Sequence, residues 1–265
     1  MSDSDARRAA RRLSDHPWLE RLARVGYVGS GLVHIVIGWI ALQVALGGSG
    51  DEADQGGALE VIRDAPFGAA LLWFCVVGFL ALALFQLLEG LVGGGGLTDR
   101  ARALGRGALY GALGLTSFTV ARGGSGSGEE STTELASTLL SAPAGQVLVA
   151  AVGLGVVATG GYHVYKGLSK KFCEDLVTTG GGQLGRGVEA AGVVGYAAKG
   201  VALLVVGGLF ALAAWQQDPE EAGGLDSALR SLAAGPLGTS LLLVVALGLM
   251  LYGVYSFARA RFARL

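Results

Sequence analysis

VGYVGSG at residues 25–31 returns as VGYAAKG at residues 194–200, and this repeated phrase organises the whole sequence. Each copy lies at the start of a long run of apolar and small residues, and Lys199 takes the place of Ser30. A lysine within hydrocarbon costs roughly 2.5–3.5 kcal/mol on insertion scales. The repeat therefore predicts duplicated membrane-spanning helices, and Lys199 needs a structural or functional reason.

The composition is that of a membrane protein. Of 265 residues, 52% are hydrophobic and only 15% are charged, with 46 glycines. Soluble domains carry about 25% charged residues, whereas membrane helices tolerate glycine and use it for close packing. The net charge of −1 indicates no nucleic-acid partner, so the expected partners are the lipid bilayer and other membrane proteins. The two cysteines, Cys75 and Cys173, form no metal-binding pattern, and we expect no metal and no cofactor.

Six apolar runs are candidate spans, at about 25–46, 66–89, 104–121, 143–168, 189–215 and 236–258. The third is the weakest, because it is short and contains Arg106. The first run follows a basic leader at 1–22 and is longer than the 7–15-residue apolar core of a signal peptide. We interpret it as a retained span.

Internal repeats group these spans in pairs. Pro66, Pro143 and Pro236 each precede an even-numbered span, and a glycine follows twelve residues after each proline. An aromatic residue follows nineteen residues after it: Phe85, Tyr162 and Tyr255. The predicted fold is an all-α membrane domain of six transmembrane helices. It consists of three tandem two-helix hairpins, at 23–91, 103–168 and 192–260, in a pseudo-threefold arrangement.

Short amphipathic segments precede each proline, with apolar pairs at helical spacing: Leu59 and Ile62, Leu135 and Leu139, Leu229 and Leu232. They predict interfacial helices. We expect each proline to occupy the first turn of the following span, where its missing N–H costs nothing. Gly107 and Gly111, spaced as G-x-x-x-G, predict a close contact between two spans.

The basic residues predict the orientation. The leader, the loops after the second and fourth spans and the C-terminus hold 16 of the 20 Lys and Arg residues. The other three loops hold three basic residues and 12 of the 21 carboxylates. The positive-inside rule then places both termini in the cytoplasm of a bacterium, with the chain in the plasma membrane.

These motifs resemble a known family. VGYVGSG, VGYAAKG, the Pro-x-Gly phrases and GYHVYKGLSKKF at 161–172 are similar to a bacterial membrane family catalogued as domain of unknown function number 1206. The resemblance covers residues 23–260 and implies three two-span copies in one chain. The middle copy departs from it, with Gly107 in place of a tyrosine and Tyr110 in place of Ser or Lys. The resemblance implies a fold but no activity.

Polar residues recur at equivalent positions inside the spans. We expect no enzyme, because the sequence has no GxSxG, Walker, HExxH or cysteine-cluster signature. A pseudo-threefold axis would gather the equivalent residues into a polar layer of Ser30, Tyr110, Lys199, Gln86, His163 and Ser256. Beyond it would lie a charged mouth of Glu89, Lys166 and Arg259. The alternative is that these are ordinary interhelical hydrogen bonders and interface residues.

Lys199 also has two interpretations. Its stem could extend to the headgroups, or its ammonium could point into the bundle and pair with Glu89 or Glu189. His34 and His163 lie on different spans and are weak candidates for a pair of haem ligands. His16 lies in the leader, where solvent exposure is the simplest expectation.

Three functional classes follow from these patterns. A structural or accessory membrane subunit without chemistry of its own is the first hypothesis. The alternative is a channel or transporter that passes a small solute or ion through the polar layer. A haem-binding membrane protein is a weaker alternative.

Overall fold

A computed structural model describes residues 17–48, 51–92, 96–235 and 238–264. Within these residues the chain is helical and has no β-strand beyond one isolated bridge. The described α-helices are α1 Pro17–Ala45, α2 Gln55–Asp64, α3 Gly68–Val92, α4 Leu97–Ala121, α5 Gly128–Leu140, α6 Gly145–Leu168, α7 Gly182–Gln216, α8 Leu225–Ala234 and α9 Gly238–Phe262. His16, most of the leader and Pro236 lie outside the described residues.

The long helices confirm a multi-pass membrane protein. Five of them, α1, α3, α6, α7 and α9, are long and apolar enough to cross a membrane. α4 has 25 residues, but its first half is rich in charge and falls short of that criterion. The short helices α2, α5 and α8 lie where the amphipathic segments predicted them. These short helices lie at the end of the bundle that holds the acidic loops, here called the acidic end. Arg106, Lys166 and Arg259 lie toward the opposite end, here called the basic end.

The Pro-x-Gly motif forms a turn before the span, so the expectation that proline occupies the first helical turn is wrong. Gly68 N donates to Ala65 O at 2.8 Å, and Gly145 N donates to Ala142 O at 2.9 Å. The residue between proline and glycine is left-handed, with φ of 63° at Phe67 and 60° at Ala144. A methyl group at Gly68 would lie 2.2 Å from the carbonyl oxygen of Arg63. The glycine therefore lets the span start directly against the end of the amphipathic helix.

The six long helices pack as an open arc in the order α4, α3, α1, α9, α7, α6. α1 packs on α3 and α7 packs on α9, as the hairpins of the first and third copies require. α4 and α6, both described in full, do not pack along each other. The middle copy thus differs from the predicted closed hairpin, and its two long helices form the two ends of the arc.

Contacts between copies use small residues at one repeated position. A methyl group at Gly160 of α6 would lie 2.8 Å from the carbonyl oxygen of Gly200 of α7. A methyl group at Gly253 of α9 would lie 2.6 Å from that of Gly31 of α1. At the equivalent position of the remaining pair of helices, a methyl group at Gly111 of α4 would lie 3.9 Å from Cβ of Ala83 of α3. Each copy therefore packs its second long helix on the first long helix of another copy, at the same position of the repeat.

Contacts within a copy also depend on glycine, and one of these glycines is missing from the middle copy. A methyl group at Gly26 would lie 2.5 Å from the carbonyl oxygen of Gly78, and one at Gly195 would lie 2.6 Å from Cα of Tyr252. The equivalent residue of α4 is Arg106, whose side chain is exposed. An arginine cannot enter a space that excludes a methyl group, which explains why α4 and α6 stay apart.

The acidic end is held together by bonds between all three copies. Glu60 accepts from Gly126 N at 2.9 Å, and Asp226 accepts from Ala53 N at 2.8 Å. Ser227 Oγ donates to Glu129 in a short hydrogen bond. These contacts join the loop of each copy to that of the next, so the acidic residues that the charge count places in loops have a structural role.

Gly160 and Gly161 give a matched test of the contact between copies. Gly160→Ala places a methyl group against the Gly200 backbone, whereas the space around Gly161 is open to 4 Å. We expect Gly160→Ala to lower the unfolding free energy by about 1–3 kcal/mol, as overpacking does. Gly161→Ala should be neutral or slightly stabilising, because alanine favours helix by up to about 1 kcal/mol. Thermal unfolding in detergent measures both, and equal effects would contradict the proposed contact.

Candidate functional site

Lys199 points into the bundle and contacts His34. Lys199 Nζ lies 3.1 Å from His34 Nε2 and 4.4 Å from the ring centre of Tyr252. His34 Nδ1 lies 2.7 Å from the carbonyl oxygen of Ser30. Because a carbonyl only accepts, Nδ1 carries the imidazole proton and Nε2 presents its lone pair to the ammonium. Lys199 is therefore a hydrogen-bond donor to a neutral histidine and also lies on an aromatic face.

The two carboxylates predicted as partners do not contact Lys199. Glu89 is exposed on α3, and Glu189 pairs with Lys170 at 3.0 Å. Glu189 lies ten residues before Lys199 on α7, nearly three turns away. In the structure Lys199 thus points inward, and its partner is an imidazole in place of the predicted carboxylate.

A second group of charges meets at Asp175. Lys166 Nζ lies 2.6 Å from Asp175 Oδ2, and an Arg259 guanidinium nitrogen lies 3.8 Å from the same oxygen. Arg259 also covers the ring of Tyr27 at 4.5 Å. Of the predicted charged mouth, Lys166 and Arg259 are therefore brought together, whereas Glu89 is exposed elsewhere. Two cations share one carboxylate, so this region carries excess positive charge.

Asp175 belongs to a plug, the 3-10 helix Lys171–Asp175, that closes the basic end. Phe172 in this plug is fully buried, and its ring stacks on Tyr196 at 5.5 Å and meets Tyr255 edge-on at 5.2 Å. Tyr255 OH donates to the Phe172 carbonyl at 3.3 Å. Arg264 N donates to Asp175 O at 2.9 Å, so the C-terminal segment fastens the plug.

The rest of the predicted polar layer does not form one connected ring. Ser256 is buried and donates to Tyr252 O of its own helix at 2.9 Å, and Gln86 is buried on α3. Tyr110 is half-buried and stacks on Phe79 at 6.4 Å. His163 is half-buried, with Nδ1 2.8 Å from Thr159 O. Ser256 and His163 are thus bonded within their own helices, whereas the bond from Lys199 to His34 joins two helices.

The histidines do not form a ready haem site. The lone pair of His34 Nε2 accepts from Lys199, so an iron would have to displace the ammonium. Within the described residues, no group of three or more His, Cys, Asp or Glu side chains is placed to hold a metal ion. The arrangement instead suits anions, because cations and phenol groups surround it.

Comparison with known proteins assigns the chain to a family. Residues 25–93, 101–170 and 194–263 each match the family described as Domain of Unknown Function (DUF1206). The chain belongs to this family. It is also similar to the uncharacterized protein YxxB of Bacillus subtilis (strain 168), with 29% identity over 250 residues that cover 91% of this chain and 90% of that protein. No solved structure shows a significant match.

Sequence reasoning missed two residues of this DUF1206 site. Asp175 and Phe172 lie in a connecting loop, and the repeat register, which located the other polar residues, does not extend to it. One signal was available, because Phe172 is an aromatic residue among Lys170, Lys171 and Glu174 in a polar loop. A lone aromatic in such a loop favours a buried anchor.

A double-mutant cycle tests the bond between Lys199 and His34. We expect His34→Leu to destabilise the protein, because it leaves the Lys199 ammonium without its acceptor. Lys199→Met should cost less than His34→Leu, and the double variant should recover part of the loss. The coupling measured by thermal unfolding should be about 1–3 kcal/mol. Additive effects would contradict a direct bond, and Ser256→Ala serves as a control within one helix.

Cys173 reports on the plug. Its thiol is half-buried and its pKa is raised by burial, so labelling by maleimide should be slow. We expect Asp175→Asn or Phe172→Ala to speed the labelling, since each removes an anchor. Glu174→Gln, at an exposed neighbouring position, is the matched control. If labelling is unchanged in both anchor variants, the plug does not depend on these contacts.

Proposed function

We propose that the protein crosses a bacterial plasma membrane six times, as three copies in a pseudo-threefold arrangement with both termini in the cytoplasm. α4 supports a sixth span because it packs along α3 and buries Gly107 against Leu87. The recurrent contacts at residues 83 and 111, 160 and 200, and 253 and 31 support the symmetry. The asymmetry of basic residues supports the orientation.

We further propose that the protein is a structural or accessory membrane subunit without catalytic chemistry of its own. The observation that carries this proposal is that the polar groups are closed off at both ends of the bundle. Toward the acidic end they are followed by an apolar core that includes Ile37, Leu242 and Leu249, all at most 1% exposed. Toward the basic end they are covered by Phe172. Polar groups enclosed in this way hold helices together more readily than they conduct.

A second candidate function is an anion conduit. It is favoured by the excess of cations inside the bundle, where Lys166 and Arg259 share one carboxylate, Asp175, and Lys199 contacts the neutral His34. On this hypothesis the plug would be a gate that opens toward the cytoplasm. Opening would also require a rearrangement of the apolar core, which makes this the less direct proposal.

Reconstitution separates the two candidates. We expect liposomes that contain the protein to show no chloride or phosphate flux above empty liposomes, with or without Phe172→Ala. We also expect mild cross-linking in its host membrane to give a defined complex with a larger membrane assembly. Anion flux that rises with Phe172→Ala and falls with Lys199→Met would support the conduit and contradict the accessory role.

Cysteine labelling tests the orientation. In a variant that lacks the native cysteines, an impermeant reagent added to intact cells should label Ser125→Cys and not Ser169→Cys. The reason is that residue 125 follows α4 at the acidic end, whereas residue 169 lies beside the plug at the basic end. Labelling of Ser169→Cys alone would reverse the orientation.

A further inference from the structure

The two ends of the helical arc, α4 and α6, leave an opening that is here called the α4/α6 gap. It exposes residues whose equivalents are buried in the other two copies. On α6, Tyr162 is 47% exposed, whereas the equivalent Phe85 and Tyr255 are 8% and 0% exposed. Thr159 of α6 is also exposed, although its equivalents Leu82 and Tyr252 are buried. The side of α6 that would close the middle hairpin therefore faces the gap.

The facing side of α4 is apolar except at two exposed arginines one turn apart, Arg102 and Arg106. Leu109 is 68% exposed, and the space around Gly105 is open to 4 Å. Gly155, on the opposite side of the gap, is likewise open. Arg102 pairs with Asp99 at 3.2 Å, whereas Arg106 lies by the repeat register level with Thr159, since the equivalent Gly195 packs on Tyr252. The gap thus has apolar walls and a cation toward its basic end.

Further cations line the interior behind this position. Lys199 is half-buried at the level of Tyr252, and Lys166 and Arg259 lie beyond it toward the basic end. Arg259 Nε is buried without a hydrogen-bond partner among the described residues. Within the described chain, Asp175 is the one carboxylate at ion-pair distance from any of these cations. The interior behind the gap therefore has more cations than carboxylates and one donor without a partner among the described residues.

We propose that the α4/α6 gap binds a phospholipid with an anionic headgroup, whose acyl chains lie along the apolar walls and whose phosphate faces Arg106 and Lys199. Guanidinium and ammonium groups recognise phosphate through charge-assisted hydrogen bonds. An acyl chain replaces the apolar contacts that α4 and α6 fail to make with each other. The site is distinct from the plug, and the proposal holds whether the protein is an accessory subunit or a conduit.

Other occupants fit the gap less well. A second copy docked by a twofold axis would present the same surface, and its Arg106 would face the like charges of the first copy. Free phosphate would satisfy the cations but would leave Leu109 and Tyr162 uncovered. A lipid of the leaflet at the basic end satisfies both requirements.

Lipid retention tests the proposal. The purified protein is stripped of lipid, incubated with vesicles of equal parts phosphatidylglycerol and phosphatidylcholine, repurified and analysed for bound lipid by mass spectrometry. We expect phosphatidylglycerol to be retained about tenfold over phosphatidylcholine, a difference of about 1.4 kcal/mol. Both lipids carry a phosphate, but the choline group adds a second cation to a site that already has an excess of positive charge. Arg106→Gln should remove most of this preference. Arg63→Gln, which changes an arginine at the acidic end, should leave it intact.

A second variant tests the apolar part of the site without a change in charge. Thr159→Trp fills the gap and should abolish phosphatidylglycerol retention while the protein remains folded by thermal unfolding. Equal retention of both lipids, or retention unaffected by both Arg106→Gln and Thr159→Trp, would overturn the proposal. So would thermal stabilisation by inorganic phosphate equal to that by phosphatidylglycerol, or a dimer in native mass spectrometry that forms at the expense of bound lipid.

Discussion

Backbone contact at small residues between copies is the constraint on which the rest of the structure depends. At residues 31 and 253, and again at 160 and 200, two helices approach so closely that a methyl group would meet a carbonyl oxygen. In a bilayer, helix association relies on such packing, because lipid tails are as apolar as the side chains. These contacts join the second span of one copy to the first span of another, so no copy is independent of its neighbours.

The middle copy shows what happens when the other type of contact is lost. Arg106 stands where Gly26 and Gly195 let the other hairpins close. Because each long helix of the middle copy packs on a long helix of a neighbouring copy, the bundle tolerates this loss. The same substitution that opens the gap also introduces a cation at its basic end. Arg106 therefore changes both the shape and the charge of the α4/α6 gap. The function of the middle copy can differ from that of the other two copies at this gap.

Residue patterns predict much of this fold. The offsets from Pro66, Pro143 and Pro236 predict the three copies, because each copy must satisfy the same local geometry. The family match confirms the threefold repeat. The order of packing could not be predicted, since the pattern within one copy does not say which helix a small residue meets. The inward direction of Lys199 could be inferred, because equivalent positions are also polar. Its partner His34 could not be inferred, because His34 belongs to another copy and occupies a different position of the repeat.

Disulfide trapping tests most directly whether the middle copy is open. Gly29→Cys would place a new sulfur beside native Cys75, whose Sγ lies 3.4 Å from the position of a Cβ at residue 29. The equivalent pair in the middle copy is Leu109→Cys with Val152→Cys, tested in a chain with Cys75→Ala, and Cys173→Ser is present in both. Under mild oxidation in native membranes, the pair at residues 29 and 75 should form a disulfide and the pair at residues 109 and 152 should not. Equal formation of both disulfides would show that α4 and α6 close as a hairpin and would contradict the account.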